Sequence, residues 1–311
     1  MSDVKYRLVT RADFDGLVCA VLLHELNLID EVTFAHPKDM QDGKVAITSR
    51  DITTNLPYVP GAHLVFDHDE AETVHNSGRR DENHIIEADA PSAARVVYNH
   101  YGGKAAFPRI PEEMIAAVEQ ADSALFSRED ILEPQRWVLL NYLMDSRTGL
   151  GRFKDFRISN YDLMMDLIQY CRDHPIEEIL QLHDVQERVV LYQEHASNAR
   201  EQLQRCAIRI GRLVVLDLRD EEVIWATNRF MIYALFPDCN VSLHVMWGLN
   251  RQNTVFAVGR SILDRSSHVH VGNLMLEFGG RGHVASGTCQ GPNDRADLLL
   301  QKLVQRITRE V

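Results

Sequence analysis

At 311 residues the chain is long enough for two domains with cores of their own, and no apolar run is long enough to span a bilayer. Its apolar fraction of 45% and charged fraction of 25% are ordinary for a globular protein. The net charge of −12 excludes a generic binder of long nucleic acid, which needs a basic surface, but leaves room for a local basic pocket. The five cysteines (Cys19, Cys171, Cys206, Cys239, Cys289) are scattered and form no Cys-x-x-Cys pair, so they read as reduced thiols of a cytoplasmic protein. Charges interrupt the first residues, and no signal peptide is expected.

The first half alternates short apolar runs with helix-like segments. Candidate strands are Tyr6–Thr10, Val32–Ala35, Val45–Thr48, His63–Phe66 and His84–Glu87. A helix-favouring run, Leu17 to Leu26, follows the first strand, and another helix begins at Pro91 and stops at Gly102-Gly103. This alternation predicts an α/β fold, a parallel sheet covered by helices, with ligands beyond the carboxyl ends of its strands.

Those strand ends are acidic. Asp13-Phe14-Asp15-Gly16 follows the first strand, Asp51 follows Val45–Thr48, and Asp67-His68-Asp69 follows Leu64-Val65-Phe66. Asp122 closes the helical run Met114–Ala121. Continued strand alternation would turn Asp13 and Asp15 to one face, where like charges repel unless a cation lies between them. Hard divalent metals prefer such oxygen ligands; the plain alternative is a solvated turn.

The middle is helical, with Glu129–Met144, Asn160–Asp173 and Ile176–Leu182 at helical spacing, and Arg147–Arg157 reads as a loop. Val185–Cys206 is a longer, more polar helix that reads as a connector. The last third reads as a mixed α+β domain: Ile208–Leu218 interrupted by Gly211, a hairpin Val241–Trp247 and Thr254–Val258, a helix Val269–Phe278, a strand Ala285–Gln290 and a terminal helix Asp294–Arg309. The domains are therefore expected at 1–184 and 207–311, joined by 185–206. Glycines surround His283 in Gly279-Gly280-Arg281-Gly282-His283, where successive free amides can form an anion-binding nest. Gly279 also suits a helix C-cap. His36 ends a strand on the acidic edge, and the remaining histidines read as structural or surface residues.

The ordered set Asp13-Phe14-Asp15-Gly16, Asp51, Asp67-His68-Asp69 and Asp122 resembles the DHH phosphoesterase superfamily. Phe278-Gly279-Gly280-Arg281-Gly282-His283-Val284-Ala285-Ser286-Gly287 is similar to the signature of the DHH-associated C-terminal domain, and Gly259-Arg260-Ser261 to its substrate-binding stretch. The subgroup it resembles contains two-domain nanoRNases, pAp phosphatases and exopolyphosphatase-related proteins. The resemblance implies a hydrolase that cleaves short phosphoesters in an interdomain cleft with one or two Mn2+ ions, Mg2+ being the alternative. It implies that Asp13, Asp15, Asp51, His68 and Asp122 ligate metal, that Asp51 bridges the pair, and that Asp67 fixes the imidazole of His68. Arg260, Ser261, Gly279, Gly280, Arg281, Gly282 and His283 would bind substrate.

Two departures stand out. Arg11 and Asp69 occupy places where the family usually carries histidines. Arg11 could supply the charge of a lost first metal and hold a phosphate, or it could pair with Asp69 and leave one metal or none. The partner implied is a short anionic nucleotide, with no membrane and no long nucleic acid; a homodimer is compatible. The rival readings are a nucleotide-binding module without turnover and an exopolyphosphatase.

Overall fold

Buried Leu8, Val9 and Thr10 make β1 (Tyr6–Thr10) a strand covered on both faces, as parallel sheets require. It pairs with β2 (Ile29–Phe34) on one side and β3 (Asp51–Thr54) on the other. β4 (Leu64–Asp67) and β5 (His84–Ile86) complete a sheet of five parallel strands in the order β2-β1-β3-β4-β5. The computed structural model describes residues 4–68, 82–87, 89–153 and 155–311.

Helix α1 (Phe14–Glu25) is buried from Phe14 through Leu23, the pattern of a helix enclosed by its neighbours rather than laid on a surface. Each of its leucines and valines contributes about 1.5–3 kcal/mol by leaving water. A short helix, α2 (Pro37–Gln41), follows β2. The expected strand at Val45–Thr48 is absent. Val45 and Ile47 instead pack as loop side chains against Val9, Ala35, Met40 and Leu56. A turn closes there, with the Asp51 amide donating to Thr48 O at 3.0 Å, so pairing with β1 starts only at Asp51. The helix expected from Pro91 starts two residues later as α3 (Ala93–His100), capped by the Ser92 hydroxyl, and α4 (Glu112–Asp122) follows.

The chain divides into two units, one holding Met1–Leu125, Gln135–Ser146 and Gly151–Val190, the other Phe126–Pro134, Arg147–Leu150 and Leu191–Val311. The single helix expected over Glu129–Met144 is two, Arg128–Leu132 and Arg136–Met144, because Pro134 has no amide to continue the ladder. That break falls where the chain crosses from one unit to the other. The helix His183–Cys206 also runs through a crossing.

The second unit carries a six-stranded mixed sheet in the order β10-β11-β9-β8-β7-β6. Its strands are β6 (Ala207–Ile210), β7 (Leu213–Asp217), β8 (Val241–Trp247), β9 (Thr254–Arg260), β10 (Arg281–Gly282) and β11 (Ser286–Gly291). The interruption expected at Gly211 within Ile208–Leu218 is the turn of the β6–β7 hairpin, with Gly211 at φ +60°. Leu243, Val245, Phe256, Val258 and Met275 meet Leu303 of the terminal helix Ala296–Ile307 in the core. Among the described residues no helix is long and apolar enough to cross a membrane.

Candidate metal centre

The carboxyl ends of β1, β3 and β4 lie side by side, because Thr10 pairs with Thr54 and Thr54 with Phe66. The chain leaves β1 at Arg11, so Asp13 and Asp15 do not alternate on a strand as the sequence predicted. Asp13 is the N-cap of α1, its Oδ1 accepting from the Gly16 amide at 3.0 Å, and Asp15 stands in the first helical turn. Gly16 is required at this junction, since a Cβ there would lie 2.0 Å from Arg11 O.

Asp15 is 2% exposed. Its two oxygens accept the Ala93 amide at 3.1 Å and the Ala94 amide at 2.8 Å, at the N-terminus of α3. Those bonds fix the carboxyl but do not neutralise it. Burial first, then the charges of Asp122 and Asp13, push its pKa well above the usual carboxylate range. His68 Nε2 lies 3.1 Å from Asp122 Oδ2. Burial alone would depress this imidazole; the hydrogen bond and charge of Asp122, helped by Asp15 and Asp67, outweigh it and raise the pKa to about 9. One ligating atom from each of Asp15, His68 and Asp122 falls within 4.8 Å of the others. A fixed, buried acid pressed towards neutrality beside a second acid and an imidazole is the donor set a divalent cation relieves, and the mix of oxygen and nitrogen fits such an ion.

The other predicted ligands behave differently. Asp13 Oδ2 pairs with Arg11 Nε at 3.0 Å, so Asp13 is engaged beside the three-residue group rather than within it. Asp67 Oδ1 accepts the backbone amide of His68 at 2.7 Å, so it positions this residue through the main chain. Asp69 lies outside the described residues. Asp51 is a correction. It opens β3 instead of ending it, and therefore sits at the amino edge of the sheet, opposite the metal ligands. There it binds Arg7 Nε at 2.7 Å and the Thr48 amide at 2.6 Å, contacts that hold its carboxyl below the usual range against the opposing effect of burial. His36 caps α2, its Nδ1 accepting from the Lys38 amide at 3.1 Å.

In the second unit the glycines divide by role. Gly279, at φ +73°, ends the helix Val271–Glu277, with its amide on Leu276 O at 3.1 Å and the Gly280 amide on Met275 O at 2.8 Å. Gly280 and Gly282 are glycines because other backbone passes close by: a Cβ would meet Thr288 O at 2.2 Å in one case and Ser286 O at 2.5 Å in the other. They serve close packing of β10 on β11, where the sequence suggested an anion nest. Ser261 is 4% exposed, and its hydroxyl accepts the Leu263 and Asp264 amides at 3.2 and 3.0 Å, which spends it on a turn. The side chains of Arg260, Arg281 and His283 have no ion pair among the described residues, and Arg281 and His283 are exposed. All three stand towards one end of the sheet, where Gly259 pairs with Ser286 and Gly282 with Gly287.

No protein-family profile and no curated relative matches the chain. Among solved structures, the pGpG-specific phosphodiesterase PggH from Vibrio cholerae is 56% identical, with a TM-score of 0.88 over 99% of this chain and 100% of that one. The chain belongs to the DHH phosphoesterase superfamily. It is a metal-dependent hydrolase of the two-domain α/β type. RecJ with Mn2+ from Thermus thermophilus (13% identity, TM-score 0.52, 98% of this chain and 52% of that one) shares the fold. So does CDC45 from Entamoeba histolytica (8% identity, TM-score 0.51, 98% of this chain and 96% of that one).

Within this DHH edge, the sequence reading missed Asn55. It stands one residue beyond β3, where Asp51 had been expected to act. It is 9% exposed, takes φ +52°, and donates its backbone amide to Phe66 O at 3.2 Å. The signal was there: Asn55 directly ends the run Asp51-Ile52-Thr53-Thr54, but a search for acids passes over an amide.

Proposed function

We propose that this chain hydrolyses pGpG, the linear 5′-phosphorylated diguanylate, to two molecules of guanosine 5′-monophosphate. The observation that carries the reading is its 56% identity to a pGpG-specific phosphodiesterase over 99% of the chain, joined to the convergence of Asp15, His68 and Asp122. Water adds to the phosphorus and the bond to the 3′ oxygen breaks, so one added water balances the products.

Asp15, His68 and Asp122 would hold a divalent ion, which supplies Lewis acidity and a more acidic bound water. We favour manganese, because a set mixing imidazole with carboxylates suits it better than magnesium. The Arg11–Asp13 pair favours one ion at those three residues over a second ion on Asp13. The chain's own groups do the positioning. The amides of Ala93 and Ala94 keep Asp15 from turning away. Asp13 steadies Arg11, whose side chain is 40% exposed and whose terminal nitrogens can fork onto a phosphoryl oxygen. In the second unit, Arg260 and Arg281 supply cations and His283 a ring nitrogen for a nucleotide's phosphate or base, while Gly279, Gly280 and Gly282 shape the turn at Arg281 and Ser261 the turn after Arg260. Reduced cysteines, all five unpaired, support a cytoplasmic location.

The test is release of guanosine 5′-monophosphate from pGpG with Mn2+ and with Mg2+, against pAp, a non-guanine dinucleotide and inorganic polyphosphate. Turnover of pGpG well above the others is expected. No release with either ion would overturn the proposal, and preferred cleavage of polyphosphate would replace it with the exopolyphosphatase reading.

A further inference from the structure

Asn55 is the one neutral polar side chain in a row of charged ones. In the register of the sheet, the residues after Thr10, Thr54 and Phe66 are Arg11, Asn55 and Asp67. Two residues beyond Arg11 comes Asp13, and one beyond Asp67 comes His68, so the strand bearing Asn55 lies between those that deliver the two halves of the metal centre. Its Nδ2 is buried and has no hydrogen-bond partner among the described residues. A buried amide donor left unsatisfied costs about 1–3 kcal/mol. The residue also holds a left-handed backbone at φ +52°, a conformation that asparagine adopts more readily than other residues with a Cβ. A buried donor left unsatisfied on the ligand-bearing edge points to a group that is satisfied only when something binds.

We propose that Asn55 is a further catalytic residue, donating from Nδ2 to a non-bridging oxygen of the scissile phosphate. The chemistry selects this partner. The neighbouring side chains of Asp13, Asp15, Asp67 and Asp122 are acceptors when ionised and repel a phosphate. His68 already faces Asp122, and Arg11 is shared with Asp13. An amide adds a donor without adding a negative charge, and its oxygen can meanwhile accept from a bound water. A donor preset against the oxygen on which charge develops typically contributes a factor of about 10²–10³ in kcat. The proposal rests on the phosphodiesterase reading for its substrate.

The experiment compares wild type, Asn55→Ala and Asn55→Asp. It measures kcat and KM on pGpG with Mn2+, the dissociation constant of Mn2+ by calorimetry, the affinity for orthovanadate as a phosphoryl mimic, and the unfolding midpoint. Both variants should lose about 10²-fold in kcat with KM within about threefold. Mn2+ affinity should be unchanged in Asn55→Ala, orthovanadate binding should weaken, and the unfolding midpoint should stay close to wild type, because loss of the unsatisfied donor offsets the cost of alanine at φ +52°. Asn55→Ala matching wild type in both turnover and orthovanadate binding overturns the proposal. So does an Asn55→Asp enzyme that is fully active and binds Mn2+ more tightly, which would make position 55 a metal ligand. If wild type leaves pGpG intact, the substrate reading fails, and the orthovanadate comparison still decides the role of Asn55.

Discussion

The carboxyl edge of the first unit crowds Asp15 and Asp122 around one imidazole, with Asp13 beside them, whereas the turn after Val271–Glu277 in the second leaves Arg281 and His283 without acidic partners among the described residues. In the first region the fold holds two of the acids in place with backbone amides, two on Asp15 and one on Asp13, so these charges cannot turn away. In the second, close backbone packing at Gly280 and Gly282 fixes the turn, and the side chains of Arg281 and His283 reach into solvent. An edge rich in fixed acids calls for a small hard cation, and a rim of exposed cations calls for a diffuse anion.

Exchanging one side chain from each region separates the two demands. Asp122→Ala removes a donor from the three-residue group, so kcat should fall on the order of 10³-fold and bound metal should drop with it. Arg260→Ala should raise KM about tenfold, the loss of one charge-assisted hydrogen bond, with kcat within about threefold. Steady-state kinetics beside metal analysis reads both. A large kcat loss in Arg260→Ala, or full metal occupancy in Asp122→Ala, would erase the division of labour.

The regions also differ in how far the sequence disclosed them. Strand and helix existence was legible where periodicity was strong: Asn160–Asp173 and Val241–Trp247 fall where the pattern put them. The acids at strand ends were legible as a class, and Asp15, His68 and Asp122 do converge. Which end of a strand an acid occupies was not, because that depends on where pairing begins. The alternation of Val45 and Ile47 imitates a strand, while the true one begins at Asp51, which sends Asp51 to the far edge and Asn55 to the near one. In the second region the glycines advertised a nest, yet their necessity comes from Thr288 O and Ser286 O, atoms contributed by a later strand that local sequence does not reveal.

Alanine at two adjacent glycines sharpens that last point. Gly280→Ala puts a methyl 2.2 Å from Thr288 O, and overpacking of this kind costs about 1–3 kcal/mol. Gly279→Ala meets open space but must keep φ +73°, for a cost of about 1 kcal/mol. Urea unfolding followed in the second unit should therefore rank Gly280→Ala as the more damaging. The reverse order would mean that backbone conformation, not the approach of β11, dictates glycine here.

The smallest effect concerns acid stability and is confined to the second region. His244 sits inside β8 between Leu216 of β7 and Ala257 of β9, with no carboxylate across either ladder. Burial pushes its pKa down to about 4 from 6.5. Between those values the unfolded chain takes up a proton that the folded strand refuses, so stability is whole above about pH 6.5 and declines as the pH falls towards 4. The slope cannot exceed about 1.4 kcal/mol per pH unit, and the partial exposure of the residue makes it smaller. His244→Gln should flatten the loss of second-unit stability between pH 6.5 and about 4 while leaving unfolding of the first unit at its wild-type pH dependence. An unaltered acid profile in the variant would assign the decline to carboxylates elsewhere, and a change that appeared first around Asp15 and Asp122 would mean that the two units do not unfold independently.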